Sequence, residues 1–465
     1  MRRAVSRRAP RLAAAGGALL AVVATAAGAG PAPACPDCLR AGAATAALRA
    51  PAGTPLGGYG ALRRRLLVPD VLGRHPHAFW FKPAAGERDR LLARALVLEV
   101  PPRRLAWVTV DLVAVDRAFT REVERRLAGA GLSGTTLIVS ASHTHSGPGA
   151  FVDSTLMGWL AMDRFDPTVR DMLADAVVEA VRRADAARAP ALVGAASVAA
   201  PGLTRSRLGR PLDPEVIVLK VVRRTGAPVA LLWNHAIHGT VLGPRSLQLS
   251  GDVMGVASAE LERELGVPVL FVNGAVGDVS PAGHGERAVA ELGRALAAAA
   301  RSAWARARPR AVTRLEVTRR RIPLPPARLS LRNCAGRWLP RSLRVPLGGL
   351  FSADAEVLAV AAGDAAWVTI PGELQTALGL AIKREARSLF EHVGVAGVSN
   401  DYLGYFVTPE DYDRPAYVTC ATVYGPRAGT CLADTAVELL HGLRGRRSPL
   451  TALPRPCDFS PGGTR

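Results

Sequence analysis

The stretch Thr136-Leu-Ile-Val-Ser-Ala-Ser-His143-Thr-His145-Ser-Gly-Pro-Gly149 decides the fold of this chain, because a β-rich run ends there in a polar turn that carries two histidines. In an extended backbone the i and i+2 spacing points both imidazoles to the same side. A neutral imidazole binds zinc, and a free imidazole transfers protons near pH 7. The pattern is compatible with one metal ligand beside one proton carrier, and equally with a structural pair of histidines.

Four further apolar runs end in polar turns. The turn that ends at His238 offers one more histidine ligand, and the turn that ends at Glu373 offers a glutamate that is either functional or a helix cap. The turn that ends at Ser280 carries a serine that could be an exposed nucleophile, although it lacks the Gly-x-Ser-x-Gly elbow. Open α/β sheets bind ligands outside the carboxyl ends of their strands, so we expect all five turns to converge on one site. The four turns are His235-Ala-Ile-His238, Asp278-Val-Ser280, Pro371-Gly-Glu373 and Asn400-Asp-Tyr402-Leu-Gly-Tyr405.

Outward from these turns, β-rich runs alternate with runs rich in Ala, Leu and Arg, which is typical of an α/β domain. We therefore predict mixed β-sheets flanked by helices, with the active site at the strand ends. The predicted strands are 95–100, 107–113, 136–140, 216–222, 228–233, 267–272, 366–370 and 393–398, and the predicted helices are 120–128, 168–187, 253–264, 285–307, 374–390 and 434–442.

Length and composition set the domain organisation. The 465 residues are 49% hydrophobic and 21% charged, which excludes a disordered chain. Five arginines precede an apolar run near the N-terminus, so residues 1–34 are predicted to be a signal peptide, with an uncleaved anchor, a twin-arginine signal or a lipoprotein at Cys35 as alternatives. We expect a linker over 35–50, one catalytic domain over 51–445 and a tail over 446–465. The protein is then secreted, periplasmic or on the cell surface.

The chain is strongly basic, with 59 Lys and Arg against 39 Asp and Glu and a net charge of +20. The arginines are scattered and not interleaved with aromatic residues, so no nucleic-acid partner is expected. They are densest between Arg319 and Arg344, where a solvated loop is one interpretation and a lid or a peripheral contact with a membrane surface is the other.

Six cysteines in an exported chain favour disulfide bonds. We expect Cys420 to pair with Cys431 and Cys334 with Cys457, and Cys35 with Cys38 either to close a small ring or to stay mobile.

Several motifs, taken in order, resemble the neutral/alkaline non-lysosomal ceramidase family. Thr54-Pro-Leu-Gly-Gly-Tyr-Gly60 is similar to the start of its catalytic domain and Tyr424-Gly-Pro426 to the end, so the resemblance spans about residues 50–445. The motifs between them are His143-Thr-His145-Ser-Gly-Pro-Gly149, Gly277-Asp-Val-Ser280-Pro, Ile370-Pro-Gly-Glu373, and Asn400-Asp-Tyr402-Leu-Gly-Tyr405 continuing to Glu410-Asp-Tyr412.

The resemblance implies a secreted zinc-dependent amidohydrolase that cleaves the N-acyl amide bond of ceramide or a related N-acyl lipid, giving a free fatty acid and a sphingoid-type amine. The implied Zn²⁺ ligands are His143, His238, Glu373 and Tyr405. The implied catalytic residues are His145 as proton carrier, Tyr417 as oxyanion donor, Arg205 and Ser280. The implied substrate-binding residues are Ser280, Arg205, Tyr402 and Asp278.

The chain also departs from the family pattern. Ala150, Ala282, Pro415 and Val418 replace the usual residues, the segment between Gly285 and Pro346 is shortened, and no C-terminal immunoglobulin-like domain is expected. The N-acyl substrate, the chain length of its acyl group and the oligomeric state therefore stay open. The alternatives are a metal-independent serine hydrolase that uses Ser280 and a non-catalytic lipid-binding protein of the cell surface.

Overall fold

The computed structural model describes residues 38–448 and Cys457. The predicted signal peptide and most of the predicted tail lie outside these residues. No helix within 38–448 combines the length and the apolar character that a membrane span requires.

Extended segments with β-branched and apolar residues form the strands. In chain order they are β1 (Arg40–Ala47), β2 (Gly86–Glu87), β3 (Leu92–Val100), β4 (Arg103–Val110), β5 (Thr135–Ala141), β6 (Ala189–Ala199), β7 (Thr204–Ser206), β8 (Glu215–Arg223), β9 (Pro228–His235), β10 (Gln248–Leu249), β11 (Val269–Asn273), β12 (Val279–Pro281), β13 (Leu315–Pro323), β14 (Arg328–Ser330), β15 (Arg344–Pro346), β16 (Asp354–Ala362), β17 (Ala365–Thr369), β18 (Glu373–Leu374), β19 (His392–Ala396) and β20 (Tyr405–Phe406).

The helices alternate with these strands, and several begin at an Asp or Ser whose side chain caps the first turn. In chain order they are α1 (Arg117–Gly129), α2 (Thr155–Met157), α3 (Pro167–Ala186), α4 (Asp252–Leu265), α5 (Glu286–Arg306), α6 (Leu331–Ala335), α7 (Thr376–Ala386), α8 (Pro409–Tyr412), α9 (Tyr417–Cys420) and α10 (Ala428–Leu443).

Two main sheets pack face to face. One has eight strands in the order β11-β9-β8-β6-β1-β3-β4-β5, and the other has four in the order β13-β16-β17-β19. Three adjacent pairs, β4 with β5, β9 with β11 and β17 with β19, are parallel, so the carboxyl ends of their members meet at shared edges. The predicted mixed sheets flanked by helices are confirmed.

The side chains alternate between two apolar layers with the period of two that strands impose. Leu219 and Leu232 point into the layer between the sheets, whereas Val218 and Trp233 point towards α4 and α5. Helices α1 and α3 cover the rest of that outer face, and α7 and α10 cover the outer face of the four-stranded sheet. The layers therefore run helix, sheet, sheet, helix.

The eight-stranded sheet curls so that its two edge strands meet at one end. Asn273, at the end of β11, donates from its side chain to the carbonyl of Ser142, just beyond β5, at 3.1 Å. The four-stranded sheet joins the same place, because the backbone amide of Val139 donates to the side chain of Asn400 at 2.7 Å. The strand ends that carry the polar turns are thereby brought together.

Three expectations are corrected by the structure. Residues 40–47 of the predicted linker form β1 inside the main sheet. The stretch from Arg319 to Arg344 is not simply a solvated loop, since it contains part of β13, strand β14 and helix α6.

The expected cysteine pairs were also wrong. Cys334 bonds to Cys420 and Cys431 bonds to Cys457. Cys420 lies at the end of α9 and Cys431 in α10, so their helices are fixed to different partners.

Candidate metal centre

His143 lies where β5 ends and the chain turns inwards. Its backbone adopts φ of +70°, a left-handed conformation that is costly for a residue other than glycine and that is concentrated at functional sites. The imidazole is buried, and Nδ1 donates to the carbonyl of Val113 at 2.6 Å. This bond fixes the tautomer and leaves the Nε2 lone pair directed into the site.

His238 follows β9 and faces His143. The backbones of the two turns are linked by a bridge between Thr144 and Gly239, and the amide of His145 donates to the carbonyl of Gly239 at 2.9 Å. As a result the Nε2 atoms of His143 and His238 are 3.1 Å apart. His238 is buried, and burial lowers the pKa of its imidazole well below the ordinary value.

Glu373 completes a buried cluster. Its carboxylate oxygens lie 3.2 Å from Nε2 of His143 and 3.4 Å from Nε2 of His238. Gly372 allows this placement, because its φ is +153° and a Cβ there would lie 2.5 Å from the carbonyl of Gly404. The hydroxyl of Tyr402 donates to the Glu373 carboxylate at 2.7 Å and orients it.

Tyr405 is placed beside Glu373 by strand pairing. Strands β18 and β20 are parallel, with Glu373 directly opposite Tyr405. Burial and the nearby Glu373 carboxylate raise the pKa of Tyr405 well above 10.

His145 differs from His143 in its surroundings. Neither of its ring nitrogens has a hydrogen-bond partner among the described residues. The ring of Tyr59 lies 4.8 Å from the imidazole, and the guanidinium of the buried Arg64 donates to the backbone carbonyl of His145 at 2.7 Å. Burial first, and then the neighbouring His143, lower the pKa of His145 well below its ordinary value.

The donor atoms of this cluster suit a metal ion. Three histidines, His143, His145 and His238, offer ligand atoms that all lie within 4.8 Å of one another. One oxygen of Glu373 is buried without a hydrogen-bond partner in the described part of the chain. Unsatisfied buried acceptors are costly, and a cation satisfies several at once. Imidazole nitrogen with carboxylate oxygen is a donor set that zinc accepts.

Arg207 is a residue that the sequence did not single out. Its Nε donates to the hydroxyl of Ser280 at 2.9 Å, and its guanidinium lies 3.4 Å from the hydroxyl of Tyr405. The expected Arg205 is exposed. Strand β7 pairs with β12 and ends at Ser206, after which the chain turns towards the centre. The guanidinium beside the cluster therefore belongs to Arg207.

The remaining predicted residues fall at different distances from the cluster. Tyr417 starts α9 with 71% of its surface exposed, and its ring lies edge-on to that of Tyr405 at 5.7 Å. Asp278 is fully buried and accepts hydrogen bonds from the amide and the hydroxyl of Thr376, so it caps α7 and its expected substrate contact is not supported. His235 is bonded to the carbonyl of Glu215, outside the cluster.

The comparisons with known proteins agree with this architecture. Residues 78–295 match the model of a family described as neutral/alkaline non-lysosomal ceramidase, N-terminal. A neutral ceramidase of Mycobacterium tuberculosis is 29% identical over 204 residues, which are 39% of this chain and 32% of the relative. A neutral ceramidase of Pseudomonas aeruginosa is 27% identical over 219 residues, which are 42% of this chain and 32% of the relative. The match thus spans about a third of the length of these relatives.

Solved structures extend the likeness over most of the chain. The crystal structure of the neutral ceramidase from Pseudomonas aeruginosa superposes with a TM-score of 0.75 at 20% identity, covering 88% of this chain and 75% of that one. A ceramidase complexed with C2 gives 0.76 at 20% identity, covering 88% and 76%. At this identity the superposition establishes the fold. Together with the family model and the curated relatives, it shows that residues 78–295 are similar to the N-terminal part of the neutral/alkaline non-lysosomal ceramidase family and that the chain shares the fold of the solved ceramidases.

Proposed function

We propose that the protein is a zinc-dependent amidohydrolase that cleaves the N-acyl amide bond of ceramide or a related N-acyl lipid. The observation that carries the proposal is the convergence of His143, His238 and Glu373, whose donor atoms lie within 3.4 Å of one another in a buried cluster. The named activity of the relatives, neutral ceramidase, supports the reaction class.

The residues that would hold zinc are His143, His238, Glu373 and Tyr405. A bound zinc there would supply Lewis-acid polarisation of a carbonyl and a water of lowered pKa. Two features of the chain prepare the ligands. The carbonyl of Val113 fixes the tautomer of His143, and the hydroxyl of Tyr402 orients the carboxylate of Glu373.

The departing amine of an amide must be protonated, because an amide anion is a poor leaving group. His145 is suited to this step, since its ring lies 5.0 Å from that of His143 and both of its nitrogens lack partners among the described residues. The phenol of Tyr417 would donate to the developing oxyanion. Arg207 and Ser280 would hold polar groups of the substrate.

The substrate class is supported by a cleft of 490 Å³ that Tyr402 lines. The residue that orients Glu373 is therefore also one of the residues that line the cleft. Apolar Met157, Phe351 and Leu403 line it together with the basic Arg121. Its charged lining is balanced, with three arginines and three aspartates, so it is the apolar part of the cleft that fits an acyl chain.

The test measures release of fatty acid from a fluorescent short-chain N-acylsphingosine and from a panel of other N-acyl lipids. Wild-type protein is expected to cleave at least one of these amides, and Glu373→Gln is expected to abolish cleavage. Ser280→Ala serves as the comparison variant and is expected to weaken cleavage without abolishing it, because it removes a substrate-binding hydroxyl but no zinc ligand. Failure of wild-type protein on every amide would contradict the proposed reaction.

The metal-independent serine hydrolase is the weaker candidate. The hydroxyl of Ser280 accepts a hydrogen bond from Arg207, and no histidine or carboxylate is bonded to it within residues 38–448. A serine nucleophile needs a general base within hydrogen-bonding distance. This function would be favoured only if Ser280→Ala lost all activity while chelator had no effect.

We also propose that the protein acts outside the cytoplasm. Two disulfide bonds, Cys334 with Cys420 and Cys431 with Cys457, support this location, because such bonds persist mainly in oxidising compartments. Detection of the protein in culture medium or in the periplasmic fraction tests it.

A further inference from the structure

The segment 61–77, here called loop 61–77, exposes an unusual number of apolar side chains. Five of them have between 68% and 104% of their surface in solvent. Contiguous exposed apolar patches on folded proteins mark sites of contact with partners or membranes. The five residues are Leu62, Leu67, Val68, Val71 and Leu72.

Loop 61–77 is held in place by its backbone. The amide of Leu66 donates to the carbonyl of Trp80 at 3.0 Å, and that of Asp70 donates to the carbonyl of Phe79 at 2.9 Å. The amides of residues 79–81 in turn donate to the buried carboxylate of Asp163. The apolar side chains are therefore presented to solvent by an ordered scaffold.

A second exposed apolar element adjoins the loop. Trp159 and Leu160 are 52% and 40% exposed. Arg65, from loop 61–77, stacks its guanidinium over the ring of Trp159 at 5.1 Å and donates to the carbonyl of Trp159 at 2.5 Å. Arg65 thus links loop 61–77 to the exposed Trp159 and Leu160.

The charge of this surface selects an anionic partner. Loop 61–77 contains four arginines and one acidic residue, Asp70. The Asp70 carboxylate accepts the backbone amides of Arg74 and His75, so it is engaged within the loop. Arg63 and Arg74 are exposed beside the apolar residues. Surfaces that bind anionic bilayers typically combine exposed apolar side chains, such as Leu, Val and Trp, with arginine.

The surface is directly connected to the candidate metal centre. Arg64, within the loop, is buried and donates to the carbonyl of His145 at 2.7 Å. Tyr59, just before the loop, lies with its ring against that of His145. We propose that loop 61–77, with Trp159 and Leu160, docks the protein on an anionic lipid bilayer next to the catalytic pocket. The benefit of this position rests on the proposed function, but the docking itself does not.

The test is sedimentation of the purified protein with vesicles of phosphatidylcholine, with and without phosphatidylglycerol. The variant Leu67→Ser/Val68→Ser/Leu72→Ser is expected to bind the anionic vesicles at least about tenfold more weakly than wild type. The matched control is Trp338→Ser/Leu343→Ser, which removes exposed apolar side chains from the arginine-dense stretch. It is expected to bind like wild type.

Three results would overturn the proposal. If wild-type protein does not bind anionic vesicles, an anionic bilayer is not its partner. If the loop variant binds these vesicles as tightly as wild type, loop 61–77 is not the docking surface. A wild-type dimer that the loop variant converts to a monomer in analytical ultracentrifugation would assign the surface to a second copy of the chain.

A soluble short-chain N-acyl amide separates docking from chemistry. The loop variant is expected to hydrolyse it like wild type, within about twofold, because none of its three substitutions lies in the metal centre. If no amide is cleaved by any form, the proposed function fails while the vesicle result still decides the docking proposal.

Discussion

The two histidines of one short turn have different environments, and we base their proposed roles on this difference. His143 has one nitrogen fixed by the carbonyl of Val113 and the other facing His238 and Glu373. His145 has two nitrogens without partners among the described residues. The sequence predicted that both imidazoles point to one side, and the difference in their hydrogen bonds supports our proposal that His143 is a metal ligand and His145 a proton carrier.

We predict that His143→Ala and His145→Ala differ in their zinc content. His143→Ala should lose both zinc and activity, because a zinc ligand is removed. His145→Ala should keep zinc and lose about 10²- to 10⁴-fold in kcat, the usual contribution of a general acid. Metal analysis and fatty-acid release on the same preparations check this. Loss of zinc from His145→Ala would make His145 a ligand.

Arg207 and Arg205 provide a second comparison between neighbouring residues. Arg207→Ala should lower kcat/KM by at least about tenfold, because its guanidinium contacts Ser280 and Tyr405 at the centre. Arg205→Ala should behave like wild type, because Arg205 is exposed. Steady-state kinetics on a soluble N-acyl amide measures both. If Arg205→Ala lowered kcat/KM and Arg207→Ala did not, Arg205 would be the functional arginine, as the family motif indicated.

At the scale of elements, the strands with β-branched and apolar residues could be predicted. Strands β5, β8, β9 and β11 lie where the sequence pattern placed them, within a few residues. Strand β1 was missed, because Arg-Ala-Gly-Ala-Ala-Thr-Ala-Ala has low strand propensity. Its small residues serve packing against α3, since a Cβ at Gly42 would lie 2.2 Å from the carbonyl of Ala184. Because this packing requirement comes from a tertiary contact, the local sequence does not reveal the strand.

Helix α8 carries a buried carboxylate that ties together the elements behind the centre. Asp411 accepts hydrogen bonds from Arg210, Arg414 and the side chain of Gln375. Gln375 lies two residues after Glu373 and also accepts the amide of Thr408. Burial alone would raise the pKa of Asp411, but these hydrogen bonds lower it to about 2.

This pKa predicts a pH-dependent loss of stability. Because the folded-state pKa lies below the ordinary value of 3.8, the ionised Asp411 stabilises the fold above pH 4, and this contribution disappears as the pH falls from about 4 to about 2. Asp411→Asn should lower the free energy of unfolding by about 2 kcal/mol at pH 7 and change it little near pH 2.

Urea unfolding at several pH values measures the effect of Asp411→Asn. The control is Asp413→Asn, whose partner Arg341 is 70% exposed. That surface pair should contribute less than about 1 kcal/mol. Equal losses from the two variants at pH 7 would contradict the role of Asp411.

The disulfide between Cys334 and Cys420 should affect activity as well as stability. It joins α6 to the end of α9, and α9 begins with Tyr417. Replacing both cysteines with serine should lower the free energy of unfolding by about 2–4 kcal/mol and also lower kcat/KM. Cys431→Ser/Cys457→Ser is the control, expected to lower stability but not kcat/KM. Equal kinetic effects of the two double variants would contradict the link to Tyr417.

At the scale of the whole molecule, the candidate centre exists because two sheets converge. His143 and His238 come from the eight-stranded sheet, whereas Glu373 and Tyr405 follow strands of the four-stranded sheet. The convergence of polar turns could be predicted from the general behaviour of α/β sheets. The curl that brings β11 to β5 could not, because it depends on the pairing of strands far apart in the sequence. Arg207 was missed for the same reason.

The most direct test of the account is the zinc content of the purified protein, measured together with chelator-sensitive release of fatty acid. The account predicts about one zinc per chain, loss of activity with chelator and recovery on adding zinc, with little zinc in His143→Ala or Glu373→Gln. A protein that binds no zinc, or whose amide hydrolysis survives complete removal of metal, would contradict the assignment of His143, His238, Glu373 and Tyr405.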